Sequence, residues 1–223
     1  MELKKFNLKE KLSIDPASTI LIVGSRRTGK TFYSKYLVNA IKPLYSLIIV
    51  FSHSKFEKEW NEVVEEDMIF DHYNPDIIGL IVKRNKKIIK SCPDINPNAL
   101  IIFDDVIDDK SLKKDQMLDM LFTRGRHLHI GVIFNTQYLY ALSKDMRVNT
   151  DIVIVTMQSN LQALEILYES YGIIKKSEFI TLINQYTENH RVFIIRNDKL
   201  SNNPLIKYQW DRGKNIKKSN NNI

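Results

Sequence analysis

The amino-acid sequence predicts a doubly wound α/β fold, in which a mainly parallel sheet has helices on both faces. Short runs of apolar, mostly β-branched residues alternate along the chain with longer segments of helical periodicity. The runs are apolar on both sides, as strands buried within a parallel sheet are. A regular alternation of such strands with helices is typical of this fold class.

Six strands and six helices are predicted. In chain order the strands are 19–23, 47–51, 100–103, 130–134, 151–155 and 192–195. The helices lie near 30–41, 55–66, 76–90, 111–123, 159–171 and 175–186. We expect residues 1–200 to form a single domain, because no Gly/Ser-rich linker or internal repeat divides them. Residues 201–223, rich in Asn, Ser and Lys, are expected to form a polar, basic extension.

Composition excludes several classes of protein. The chain has 223 residues, of which 43% are hydrophobic and 26% charged, unlike collagen-like, low-complexity or broadly disordered chains. Its single cysteine, Cys92, cannot form an internal disulfide, which favours a reducing compartment. The first residues lack the apolar segment of a secretory signal, and no apolar run approaches the ~20 residues of a membrane helix. We therefore expect a soluble protein of the cell interior.

A phosphate-binding motif follows the first predicted strand and opens the first predicted helix. The residues that fit the pattern G-x-x-x-x-G-K-[ST] are Gly24, Ser25, Arg26, Arg27, Thr28, Gly29, Lys30 and Thr31. Its glycines let backbone N–H groups face the phosphates, and the helix N-terminus adds its positive dipole end. We expect Lys30 to reach the β- and γ-phosphates of ATP and Thr31 to ligate Mg²⁺. The motif predicts a P-loop NTPase.

Two carboxylates, Asp104 and Asp105, follow the apolar strand 100–103. A buried parallel strand delivers its carboxyl end to the ligand-binding edge of the sheet, where the phosphate loop also lies. Asp104 is expected to hold Mg²⁺ through its water shell, and Asp105 to polarise the attacking water. Asp108 and Asp109 are interpreted as caps of a helix beginning at residue 111.

The spacing of the two motifs separates classes of P-loop protein. About 75 residues lie between them, which leaves room for the strand 47–51. An intervening strand is the arrangement of the P-loop ATPases that carry an acid after the metal-binding aspartate, the ASCE type. Nucleotide kinases and small GTPases usually place the two strands side by side, so the spacing argues against them.

Polar side chains flank the fourth predicted strand, 130–134, at both ends. Gln137 follows it and is expected to contact the γ-phosphate or the attacking water. Arg124 and Arg126 precede it, so we expect them at the opposite edge, far from the nucleotide of their own chain. An arginine there could serve a neighbouring subunit as a trans-acting finger. The alternative is ordinary solvated charge or a structural ion pair.

Together these motifs, with the segment 147–151, resemble the FtsK–HerA superfamily over residues 15–197. Within it the chain is similar to the genome-packaging ATPases of large nucleocytoplasmic DNA viruses and their virophages. The resemblance implies a homo-oligomeric ring of five or six subunits that hydrolyses ATP to move double-stranded DNA into a preformed capsid. It also implies a location in the host cytoplasm (the virus factory) or in the virion, with capsid or inner-membrane proteins as partners at the packaging vertex.

The resemblance also assigns roles to residues. Lys30 and Thr31 become the Walker A pair, Asp104 the metal residue and Gln137 the polar sensor. The finger falls on Arg124 or Arg126, with Arg147 as a third candidate. Many superfamily members carry Glu where this chain has Asp105, and the shorter side chain must lie closer to the water.

Basic charge is concentrated in two short runs. The net charge is +7, whereas residues 83–90 carry +5 and residues 212–218 carry +4. Both runs are candidate contacts for DNA phosphates. The alternatives are a solvated helix face for the first run and a solubilising tail for the second.

Two other functions remain open from the sequence. One is a HerA-like helicase or recombination motor, which would need an accessory domain that fewer than 20 residues before the first strand do not provide. The other is a nucleotide-dependent switch or scaffold with little turnover, against which the apparent hydrolysis residues Asp104, Asp105 and Gln137 argue.

Overall fold

A computed structural model of the chain describes residues 1–7, 15–53, 58–92, 94–106, 115–198 and 201–212. In this part, nine strands form one sheet in the order β1-β9-β8-β7-β2-β6-β5-β3-β4. The strands are β1 (Lys4–Lys5), β2 (Thr19–Val23), β3 (Leu47–Ser52), β4 (Ile69–Phe70), β5 (Ala99–Asp104), β6 (Ile130–Thr136), β7 (Ile152–Val155), β8 (Arg191–Arg196) and β9 (Tyr208–Arg212).

The described α-helices are α1 (Lys30–Ile41), α2 (Pro75–Ser91), α3 (Gln116–Arg124), α4 (Lys144–Val148), α5 (Leu161–Tyr171), α6 (Lys176–Thr187) and α7 (Pro204–Lys207). Several begin at a side-chain cap. Asp115, for example, accepts hydrogen bonds from the backbone N–H groups of Met117 and Leu118, both at 2.9 Å. The helix predicted from residue 111 thus begins at residue 116, and the proposed caps Asp108 and Asp109 lie outside the described residues.

Most of the sheet is parallel, as predicted. Strands β7, β2, β6, β5, β3 and β4 pair in parallel from neighbour to neighbour. Strand β8 is antiparallel to both β7 and β9, so the prediction of a parallel strand at 192–195 was wrong in direction. Direction is set by the connection through α5 and α6, and an apolar run does not encode it.

Helices cover both faces, which confirms the doubly wound α/β prediction. Alternate side chains of the strands point to opposite faces. On one face, Ile20, Ile22 and Ile102 belong to a core cluster with α1 and the segment 58–64. On the other face, Phe103 and Phe134 lie in a core cluster with α2, α3, α5 and α6. The sheet is buried on both sides, so its carboxyl edge is a rigid platform for a site.

Spatial order corrects one sequence inference. The strand between the phosphate-loop strand β2 and the acidic strand β5 is β6, and β3 lies on the far side of β5. The intervening strand exists, but the sequence interval between two motifs does not say which strand fills the gap. As a result, Asn135 of β6 is directly paired with Asp104 of β5.

Two further segments differ from the prediction. Residues 58–64, assigned to a helix near 55–66, form turns in which Trp60, Val63 and Val64 are buried, while 54–57 lie outside the described residues. Residues 208–212, assigned to the polar extension, form β9, which joins β1 to β8. Tyr208 of β9 is fully buried, so the ordered sheet continues beyond residue 200.

Candidate nucleotide-binding and hydrolysis site

The phosphate loop runs from the end of β2 to the start of α1. Arg27 and Gly29 have φ angles of 63° and 91°, left-handed conformations of the kind that occur in anion-binding nests of backbone N–H groups. A Cβ atom at Gly24 would lie 1.9 Å from Thr156 Oγ1, so no side chain fits there. Space therefore excludes a side chain at Gly24, whereas at Gly29 it is the left-handed backbone that favours glycine.

The segment after β7 braces this loop. The backbone N–H of Ser25 donates to the carbonyl of Met157 at 3.0 Å, and Ser25 Oγ donates to Gln158 Oε1 at 2.9 Å. The hydroxyls of Thr28 and Thr156 are 2.6 Å apart. Residues 156–158 thus fix the loop from a strand about 130 residues away in sequence.

Lys30 is the buried cation of the loop. Its side chain is 6% exposed, and Nζ donates to the carbonyl oxygens of Gly24 and Ser25 at 3.2 and 3.1 Å. Burial lowers the pKa of Lys30 below its usual value, while Asp105 and Asp104 pull it upward. Phosphate oxygens would replace these carbonyl acceptors and favour the charged amine further.

Asp104 sits at the centre of the site and accepts three hydrogen bonds. Oδ1 accepts from Asn135 Nδ2 at 2.7 Å and from Thr31 Oγ1 at 3.0 Å, and Oδ2 accepts from Trp60 Nε1 at 2.8 Å. Burial raises the pKa of this carboxyl, and the three donors oppose the rise. The donors fix both oxygens, so the carboxylate is oriented before any ligand arrives.

A buried chain of polar groups ties the loop helix to this carboxylate. Ser34 of α1 donates to Asn135 Oδ1 at 2.8 Å, and the Asn135 amide in turn donates to Asp104. All three side chains are at least 96% buried. These side-chain hydrogen bonds fix the positions of helix α1 and strands β6 and β5 relative to one another at the site.

Asp105 follows directly and has φ of 53°, a left-handed conformation that Asp tolerates better than most residues. Gln137 Nε2 donates to Asp105 Oδ2 at 2.8 Å. The candidate base and the candidate sensor are therefore neighbours in space. Asp105 is exposed, as a group that must reach a water molecule has to be.

A cavity of about 860 Å³ lies over these groups. Its lining includes Arg26, Arg27, Thr31, Ser52, His53, Glu59, Asp104, Asp105, Gln137 and Tyr138. Thr31 and Asp104 offer the hard oxygen ligands that Mg²⁺ prefers, and their oxygens lie 3.0 Å apart. These residues fit a magnesium site that is completed by phosphate and water. Within the described residues there is no cluster of three His, Cys, Asp or Glu side chains for any other kind of metal centre.

Arg124 and Arg126 lie before the amino-terminal end of β6, opposite the cavity, whereas Arg147 lies in α4. Arg126 is paired with Asp151 at 2.6 Å and with Asp15 at 3.4 Å, and Asp151 raises its pKa further. Arg147 donates to the carbonyl of Leu142 at 2.7 Å and supports its own loop. Arg124 is exposed, and no side-chain hydrogen bond or ion pair engages it within the described part of the chain.

Sequence reasoning missed Trp60 and the bracing residues Thr156 and Gln158. Trp60 lies 44 residues before Asp104 in a stretch with helical composition, so no local pattern signals the contact. Thr156 follows a predicted strand, and its position at the carboxyl edge was the available signal.

We expect Trp60→Phe to weaken the metal site without dismantling the fold. Loss of the indole N–H leaves Asp104 one donor short, so the pKa of this carboxyl rises further. Because only the ionised carboxylate holds the cation, the acid limb of the pH–activity profile moves to higher pH. The Mg²⁺ concentration for half-maximal ATPase rate rises about tenfold, a usual effect of losing a partner of a metal ligand.

The control is Trp210→Phe, since Trp210 lies on β9 and its Nε1 donates to the carbonyl of Leu3, away from the cavity. Identical Mg²⁺ requirements and pH profiles for the two variants would show that Trp60 has no part in orienting Asp104.

The sheet order and the site define a P-loop NTPase of the ASCE type. The chain belongs to the poxvirus A32 protein family, whose model matches residues 3–223.

Relatives from several viruses are distant in sequence but match most of this chain. Uncharacterized protein 075L of Invertebrate iridescent virus 6 is 26% identical over 198 residues, covering 86% of this chain and 76% of the relative. Uncharacterized protein 015R of Frog virus 3 (isolate Goorha) is 24% identical over 186 residues, or 82% of this chain. The chain spans 58% of the length of that relative.

Solved structures share the fold. The genome packaging NTPase B204 from Sulfolobus turreted icosahedral virus 2, in complex with ATP-gammaS, aligns with a TM-score of 0.65 at 14% identity, covering 90% of this chain and 99% of that one. The cytoplasmic domain of the Thermomonospora curvata Type VII secretion ATPase EccC aligns with a TM-score of 0.58 at 14% identity, over 87% of this chain and 25% of that one. Family and fold confirm the resemblance to viral packaging ATPases inferred from the sequence.

Proposed function

We propose that this chain is an ATP-driven motor that moves double-stranded DNA into a viral capsid. The observation that carries the proposal is the constellation of Lys30, Thr31–Asp104 and Asp105–Gln137 at one sheet edge. Membership of the poxvirus A32 protein family supports it, as does the likeness to a genome packaging NTPase.

In the proposed hydrolysis step, the loop amides and Lys30 hold the triphosphate, and Thr31 and Asp104 hold Mg²⁺, which neutralises phosphate charge. Gln137 keeps Asp105 turned toward the cavity. Asp105 accepts the proton of a water that attacks the γ-phosphorus, and ADP leaves with the bridging oxygen. The amide of Gln137 donates to Asp105 and also borders the cavity, so it is placed to respond to loss of the γ-phosphate.

DNA would be gripped by one face of α2. Lys83, Lys86, Lys87 and Lys90 are all exposed, and their spacing of i, i+3, i+4 and i+7 puts them in one stripe along the helix. Arg84 belongs to the same run but is engaged elsewhere, with Nη2 donating to Ser46 Oγ at 2.9 Å. We name the four lysines the α2 lysine stripe. Of the second basic run, only Arg212 lies among the described residues.

Replacing the four stripe lysines by alanine is expected to weaken DNA binding uniformly across sequences. A plot of log affinity against log salt has a negative slope, and each lost phosphate contact reduces the magnitude of that slope by about 1. For four lysines the reduction is up to about 4. Basal ATPase rate is unchanged, because the stripe lies outside the cavity. Fluorescence anisotropy with a duplex at several salt concentrations measures the slope.

The control is Lys144→Ala/Lys175→Ala, which removes two exposed lysines elsewhere, one on α4 and one directly before α6. If the stripe variant bound DNA with wild-type affinity and a wild-type salt slope, the α2 lysine stripe would not be the DNA-binding surface.

The motor is proposed to act as a homo-oligomeric ring of five or six copies, docked on capsid or inner-membrane proteins at the packaging vertex. The guanidinium of Arg124 lies at the edge opposite the cavity and has no partner among the described residues, and it is the group we assign to the neighbouring subunit's nucleotide. Within the described residues no helix is long and apolar enough to cross a membrane.

ATP hydrolysis measured with and without duplex DNA tests the proposal. We expect the rate to rise with DNA and the rise to shrink as salt increases. Tight ATP binding with negligible turnover, in the assembled ring and with DNA present, would support a nucleotide-dependent switch instead.

A further inference from the structure

A buried amide beside the phosphate loop has no partner for its donor group. Gln158 follows β7 and is 5% exposed, and its Nε2 atom has no hydrogen-bond partner among the described residues. The orientation of the amide is fixed by the backbone N–H of Asn160, which donates to Gln158 Oε1 at 3.2 Å and has no lone pair to accept a bond in return. A buried donor without a partner is costly, so it needs an explanation.

Lys30 holds acceptors of the loop that a bound triphosphate would release. Its Nζ donates to the carbonyl oxygens of Gly24 and Ser25. Phosphate oxygens carry more charge than carbonyl oxygens and draw the amine toward themselves. The Ser25 carbonyl also accepts from Thr28 Oγ1 at 2.7 Å, which uses one of its two lone pairs. When Lys30 turns to the phosphates, the other lone pair loses its donor.

The released acceptor and the unpartnered donor belong to two residues that already touch. Ser25 Oγ donates to Gln158 Oε1 at 2.9 Å. The loop and the segment after β7 are further joined by the bond from the Ser25 N–H to the Met157 carbonyl at 3.0 Å. A local change of side-chain torsion is therefore enough to bring Nε2 to the Ser25 carbonyl, with no shift of either strand.

The same amide also holds the start of α5. Asn160, whose N–H donates to Gln158 Oε1, is the N-cap of this helix, and its side chain accepts from the backbone N–H of Ala163 at 3.1 Å. Asn160 is exposed, and the next residue, Leu161, is 75% exposed. Gln158 thus connects a buried loop to a helix end at the surface of the domain.

We propose that Gln158 is a positioning residue that transmits nucleotide occupancy from the phosphate loop to α5. As Lys30 turns to the β- and γ-phosphates, Nε2 of Gln158 donates to the Ser25 carbonyl while Oε1 stays on Asn160. The amide is then bonded at both ends and clamps the first turn of α5 to the loop. The proposal rests on the proposed nucleotide site. It adds a second route out of that site, on the side of β2 that faces β7 and not β6.

Amide hydrogen exchange in the first turn of α5 tests the clamp. The probe is ATP-gammaS with Mg²⁺, and the readout is the ratio of exchange rates without and with saturating probe at residues 163–165. We expect a ratio of about 5 in wild type, the effect of one added hydrogen bond on local opening. In Gln158→Met, whose side chain is of similar length but has no amide, the ratio is expected to fall to about 1. Calorimetry should show severalfold weaker probe binding.

Two further variants separate the clamp from simple bracing. Gln158→Glu keeps an oxygen for the Asn160 N–H but has no donor, so it is also expected to lose the ratio. Ser159→Ala removes a neighbouring hydroxyl that lies 3.2 Å from Ser25 Oγ, and it is expected to keep the wild-type ratio. Thermal melts without probe show whether each variant is folded.

A wild-type ratio in a folded Gln158→Met or Gln158→Glu protein would overturn the proposal, because a simple brace changes stability and not the response to the probe. A ratio of 1 in wild type with the probe bound would overturn it too. Failure of wild type to bind the probe would instead overturn the proposed function on which the clamp rests.

Discussion

Lys30→Ala is expected to abolish ATP turnover, lowering the rate at least about 100-fold, as the loss of a preorganised charge contact to a reacting group does. Lys30 Nζ lies among the carbonyl oxygens of the loop that would surround the phosphates. Removing it would take away the lysine charge that the proposed site places beside the β- and γ-phosphates. Burial already lowers the pKa of Lys30, so the folded protein loses little stability when this costly charge is deleted.

A coupled-enzyme assay measures the ATPase rate of each Lys30 variant against wild type. A thermal melt of the same samples checks that each variant is folded. Lys30→Met preserves the length of the side chain and is expected to behave as the alanine variant does. Lys144→Ala, at an exposed position outside the cavity, is expected to retain full activity. A well-folded Lys30→Ala protein with wild-type turnover would place the hydrolysis site elsewhere.

Arg124→Ala is expected to lower ATP hydrolysis in the assembled ring by about 10³-fold or more, the range measured for arginine fingers in other systems. Nucleotide binding by the isolated chain is unaffected, because Arg124 lies at the edge opposite its own cavity. Arg126→Ala should differ. It breaks exposed ion pairs with Asp15 and Asp151 and is expected to cost at most about 1 kcal/mol of stability, with modest effect on turnover.

Mixing the two inactive variants tests action in trans. A Lys30→Ala subunit has no working site but keeps Arg124, and an Arg124→Ala subunit has a working site but no finger. Rings assembled from both variants are expected to regain a fraction of the wild-type ATPase rate, and this fraction depends on the mixing ratio. No recovery at any ratio, in rings shown by mass to be mixed, would argue that Arg124 does not serve a neighbour. A collapse of turnover in Arg126→Ala alone would transfer the role to Arg126.

The fold and the phosphate loop could be predicted because their signals are local. Gly24, Gly29 and Lys30 are specified by backbone conformation and chemistry within eight consecutive residues. Asp104 and Asp105 are specified by their position at the end of a buried strand. The alternation of apolar runs with helices was enough to predict a doubly wound sheet.

The features that the sequence did not reveal depend on tertiary contacts. Trp60 meets Asp104 only after the turn segment 58–64 packs on the sheet, against a composition that favours a helix. Strand β9 is five residues long in an Asn-rich segment, and its role follows from pairing with β8. The spatial order that puts β6 beside β2 is likewise a property of the sheet and not of the interval between motifs.

Triplex displacement most directly tests the claim that ATP hydrolysis at this site moves double-stranded DNA. A fluorescent third strand is annealed to a duplex, and its release is followed after addition of the assembled protein and Mg²⁺-ATP. We predict release that requires ATP, that is absent with Lys30→Ala and that is weakened in the α2 lysine-stripe variant. Sustained ATP turnover without release of the third strand, at every salt concentration at which the ring binds duplex DNA, would contradict the account.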